Sequence, residues 1–225
     1  MMSMRLKWGQ VWEEVGYSAK QMGLNVIWIP WITAVLYWIV SWSPISSGAV
    51  VGTSSIALSI MVSLLFSGAV SREKLLGIHE MLLTLPLSPV HLLLLKTLGG
   101  FIIGITGMAV GSFIGVVLAD YTGTPVPPIT ALLGVIISAP ALFTITLLVI
   151  LITLLFQSKY LDITKIALLF TAYFAPMYIP KYFGVGISMG IALVLSLLLS
   201  AGALIVSFLI IHSLEERLGE KMVLV

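Results

Sequence analysis

The chain has 225 residues, 60% of them hydrophobic and 9% charged, with a formal net charge of +2. A water-facing domain carries roughly 25% charged residues, so a chain with this composition and a mean hydropathy of +1.17 belongs in a lipid environment. The small net charge argues against a nucleic-acid partner, and the absence of cysteine excludes disulfides, thiolate metal sites and cysteine nucleophiles.

The first expected element is a helix from about Met4 to Met22. Trp8, Val11, Trp12, Val15, Ala19 and Met22 recur at the spacing of one helical face, and Arg5, Lys7, Gln10, Glu13, Glu14 and Gln21 fill much of the rest. Tryptophans opposite charges fit a helix lying in the headgroup region, with Trp8, Val11, Trp12 and Val15 as its membrane anchor. The alternative is a helix packed on a partner's soluble surface. Glu13 and Glu14 ahead of the first apolar run leave no pattern of a cleavable signal peptide, so the spans themselves are expected to direct insertion.

Six apolar runs follow, each near or above the ~18 residues that cross a hydrocarbon core. They cover about Leu24 to Trp42, Val50 to Val70, Leu92 to Ala119, Ile129 to Phe156, Ile163 to Ile179 and Phe183 to Ile211. Inside lipid the backbone must satisfy its own hydrogen bonds, and runs that are continuous rather than alternating do so as helices. Pro140 should kink the fourth span. The expected fold is therefore all-α, a single transmembrane domain over residues 1–225 with an N-terminal elbow helix.

Cations set the orientation. Arg5, Lys7, Lys20, Arg72, Lys74, Lys96, Lys159, Lys165, Arg217 and Lys221 flank one side of this arrangement, and only Lys181 falls on the other. The split places both termini in the cytoplasm and requires an even number of spans.

No ionisable residue lies well inside a proposed span, which argues against ion-coupled transport and intramembrane proteolysis. His79, His91 and His212 form no metal-ligand spacing. There is no G-x-x-x-x-G-K-[ST] loop, so the chain is expected to have no nucleotide site, no cofactor and no catalytic residue of its own. Small residues recur instead at four-residue spacing. Ser55, Ser59, Ser63 and Ser67 line the second span; Gly100 and Gly104, then Gly107, Gly111 and Gly115, line the third. Such stripes let helix backbones approach closely, either within the chain or along a dimer or substrate seam.

The segment from Ser71 to His91 gathers the remaining polar chemistry. Glu73, Gly77 and Glu80 fall at helical spacing among leucines, and Pro86 and Pro89 should end the helix and turn the chain back to the membrane. A short helix pressed on the cytoplasmic mouth can pass force from a soluble partner to two spans. A purely structural interfacial loop would have the same spacing.

Here the chain resembles the permease subunit of type-2 ABC exporters. That family carries a pattern close to E-[KR]-x-x-G-T-x-E-x-L-L-x-x-P-[LV]-S-x with a lysine where the third span begins. This chain supplies Glu73, Lys74, Gly77, Glu80, Leu82, Leu83, Pro86, Ser88 and Lys96. Ile78 stands in place of the threonine, and the connection from Ala175 to Gly184 is short where many relatives have re-entrant half-helices. The resemblance implies a half-transporter in the cytoplasmic membrane. A second copy or a related permease would complete the pathway, and separate ATPase subunits using ATP and Mg would drive it. Arg72, Glu73, Lys74, Gly77, Glu80, Pro86 and Ser88 would be the ATPase-coupling residues. A haem-exporter B-type permease of cytochrome c maturation, or a non-transporting membrane scaffold, are the alternatives.

Overall fold

A computed structural model describes residues 8–42, 47–76, 88–155 and 189–213, and these are helical almost throughout. The helices are α1 (Trp8–Met22), α2 (Asn25–Ser41), α3 (Ser47–Leu75), α4 (Pro89–Tyr121), α5 (Pro128–Leu155) and α6 (Met189–Ser213). Four stretches are long and apolar enough to cross a membrane: Ser54–Leu75, Pro89–Tyr121, Pro128–Leu155 and Gly190–Ser213. The described residues are thus helical, with four stretches suited to crossing a bilayer. α2, expected as the first span, is apolar along its length but has only 17 residues. The expected fifth span lies outside the described residues.

The helix ends follow local chemistry. Gly23 has a φ of +54°, a left-handed conformation open to glycine, and its N–H bonds the carbonyl of Ala19 to close α1. The chain then turns by 80° into α2. α4 begins at Pro89 rather than Leu92, because Ser88 is its N-cap: the Ser88 hydroxyl accepts from the His91 N–H at 3.2 Å, and proline needs no partner at the first helical position.

α3 and α5 make the most extensive contact, followed by α2 with α4. Serines cement the first pair. Ser59 donates to the Ser138 carbonyl at 3.2 Å, and the Ser63 and Thr146 hydroxyls are 2.8 Å apart. Glycines permit the second. A Cβ on Gly107 would stand 2.6 Å from Cγ2 of Ile29, one on Gly115 would stand 2.7 Å from Cβ of Tyr37, and one on Gly111 would strike the Pro30 carbonyl. Gly100 and Gly104 likewise receive Phe66 and Val62 of α3. Ser55, Ser59, Ser63 and Ser67 are fully buried. Both small-residue stripes therefore pack against neighbouring helices within the chain.

α6 rests on this core by a narrow stripe of small residues, Ala192, Ser196, Ser200, Ala203 and Ser207, and its leucines and Phe208 face outward. Exposed apolar side chains on α2, α4, α5 and α6 form the belt expected of a lipid-facing bundle.

Candidate functional site

The polar residues that the bundle cannot leave in lipid collect at one end. Lys96 is eight residues into α4 by count from Pro89 and has no exposed surface. Four leucines precede it, and a lone ammonium among them would be costly. It is paired twice. Its Nζ lies 2.8 Å from Oε1 of Glu14 on α1 and 2.7 Å from Oε2 of Glu73 on α3. The ring of Tyr17 covers the ammonium at 4.9 Å from its centroid, and the Ser18 hydroxyl donates to Glu14 Oε1 at 2.7 Å. Glu73 is 1% exposed and Glu14 13%. One cation thereby ties three separate helices together.

Close approach of α1 makes this possible. Gly99, three residues beyond Lys96, presents bare backbone to α1; a Cβ there would stand 3.2 Å from Cγ of Glu14 and 3.6 Å from Oγ of Ser18. The contact face of α1 is accordingly Val11, Glu14, Ser18 and Met22, rotated from the apolar face that the spacing alone defines. Val11 is 1% exposed and packs inside the protein, and Val15 is half-buried against the core. Trp8 and Trp12 remain outward, 73% and 61% exposed, and keep the chemistry of an interfacial anchor.

Next to the triad, Lys74 is buried and its Nζ donates to the carbonyl of Leu154 at 2.8 Å. Lys74 thus ties α3 to the last described turn of α5.

These positions change what the coupling residues can do. Of those in the described residues, Arg72 is exposed, whereas Glu73 and Lys74 are turned into the bundle and Ser88 is a helix cap. Gly77, Glu80 and Pro86 lie outside the described residues. In the sequence Lys96 reads as a cation flanking a span and Glu14 as one of the polar residues beside the apolar face of the first helix; the structure brings them together. The available signal was a lysine with a glycine pair one turn later, in the middle of a leucine run. Among the described residues no group of three His, Asp or Glu side chains could hold a metal ion.

Comparison with protein-family models, with curated proteins and with solved structures finds no match for the chain.

Proposed function

We propose that this chain is the permease subunit of an ATP-driven exporter of the cytoplasmic membrane. In this reading it has no nucleotide site and works as a pair, with a second copy or a related permease, above separate ATPase subunits. The observation that carries the reading is the Lys96 triad. It joins α1 to the last turn of α3 and the second turn of α4, the two helices on either side of residues 77–87. A push on those residues would reach α1, α3 and α4 together, because breaking a buried ion pair costs about 3–5 kcal/mol. A clamped unit of this kind suits a chain that receives force at its cytoplasmic end. The motif around Glu73, Gly77 and Glu80 supports the same assignment, and the ten-to-one cation split supports six crossings with both termini inside.

The test is co-expression with an ATPase encoded beside it, followed by purification through a tag on this chain. The ATPase should co-purify, and its ATP hydrolysis should rise when the permease is present in lipid nanodiscs. Gly77 or Glu80 replaced by a bulky or oppositely charged residue should lose that association while still inserting. Recovery of the chain with no stimulated hydrolysis under any of these conditions would favour a scaffold and sink the transport reading.

A further inference from the structure

α5 runs uninterrupted through Pro140. Proline has no N–H to offer the carbonyl four residues back, at Ile136, and its ring crowds that carbonyl, so the helix resists bending least at this turn. Two neighbours attend to the carbonyls beside it. Ser196 of α6 donates to the Ile137 carbonyl at 2.6 Å, and the Ser59 hydroxyl of α3 is shared between its own Ser55 carbonyl at 3.0 Å and the Ser138 carbonyl at 3.2 Å. Both serines are fully buried. Within α5 the Ser138 and Thr144 hydroxyls add bonds to the Val135 and Pro140 carbonyls, at 2.7 and 3.0 Å. Hydroxyl bonds of this kind let a membrane helix tolerate proline. Each is also a weak contact in a bilayer, one that a rotation of one side chain can break and remake.

Among the described residues, the polar ties away from the proline differ between the two halves of α5. After the proline, Thr146 bonds Ser63 at 2.8 Å and the Leu154 carbonyl accepts from Lys74 at 2.8 Å. Before the proline, the polar tie beyond those serines is the Tyr37 hydroxyl donating to the Ala131 carbonyl at 3.4 Å, at the long limit for such a bond. The half before the proline also walls an apolar groove: Ala131, Leu132 and Val135 face Ser112, Phe113 and Val116 of α4 across it.

We propose that Pro140 is the joint of a hinged flap. Residues 128–139 swing about it, changing the width of the groove against α4, and the hydroxyls of Ser59 and Ser196 hold one of the two settings. The flap does not depend on the transport reading, since it follows from the bonding of α5 alone.

Because the chain has no cysteine, spin labels can be placed singly in the full-length protein in lipid nanodiscs. Gly68→Cys on α3 is an open reference site, and Ile129→Cys, 68% exposed, reports on the flap. The pair should show two populated distances by pulsed electron paramagnetic resonance. Pro140→Ala should lose one of them, and Ser59→Ala with Ser196→Ala should shift weight between them. The same reference paired with Tyr121→Cys, 90% exposed at the end of α4, should keep one distance throughout. One unchanged distance for the flap pair in all backgrounds, or two distances that survive Pro140→Ala, would overturn the proposal. If Pro140→Ala does not insert, the serine double variant decides, and an unaltered ratio of the two distances overturns it.

Discussion

Gly99 and Glu14 face each other across the contact between α1 and α4, so close that a methyl group on Gly99 would press on the Glu14 side chain at 3.2 Å. This bare backbone is what lets a surface helix bring its carboxylate to Lys96. The consequences can be measured on the helix contact and on the charges separately.

Removing the cation should be worse than removing all three charges. Lys96→Met leaves Glu14 and Glu73 facing one another without their shared partner, and should cost about 3–5 kcal/mol. It would be read as a drop in Tm of the detergent-solubilised protein. Adding Glu14→Gln and Glu73→Gln to it should recover part of the loss, because an amide costs less to bury than an unpaired carboxylate. Equal Tm values for wild type and Lys96→Met would show that the triad contributes nothing to stability.

The proximity of α1 and α4 predicts a specific cross-link. Ser18→Cys with Gly99→Cys should form a disulfide under mild oxidation, since the Ser18 Oγ lies 3.6 Å from the Cβ position of residue 99. Moving the first cysteine to Trp12, which is 61% exposed on the other side of α1, should abolish it. Proteolysis between the two helices followed by non-reducing electrophoresis reads the result.

Glycines of α4 should differ in tolerance according to what they meet. Gly111→Ala drives a methyl into the Pro30 backbone and Thr33 Cβ, neither of which can rotate away, and overpacking of this kind costs about 1–3 kcal/mol. Gly68→Ala on α3 meets no atom within 4 Å and should leave Tm unchanged or raised, as alanine is the better helix former. A thermal melt of the two variants side by side is sufficient.

Orientation has a direct assay. Leu76→Cys at the end of α3 and Tyr121→Cys at the end of α4 are 67% and 90% exposed. With cytoplasmic termini, an impermeant maleimide added to intact cells should label residue 121 and spare residue 76 until the membrane is opened. The reverse pattern would invert the topology and place the Lys96 triad on the outer face.

Composition and continuity alone determined that this chain is helical and belongs in lipid, because a backbone without water has few ways to satisfy its hydrogen bonds and the runs around Leu92 to Ala119 and Ile129 to Phe156 are too long and too uniformly apolar for anything else. Helix positions were legible to within a few residues at α4 and α5 for the same reason. The use of particular residues was not. Whether Ser59 and Gly111 face a neighbour within the chain or another molecule depends on which helix lies beside them, and a periodic pattern on one helix has no information about its neighbour. Lys96 shows the same limit most sharply: in a linear reading it is a cation near a span end, and only the crossing of α1, α3 and α4 brings Glu14, 82 residues away, to neutralise it. Burial of charge is decided by distance in space, and that distance exists only once the helices have packed.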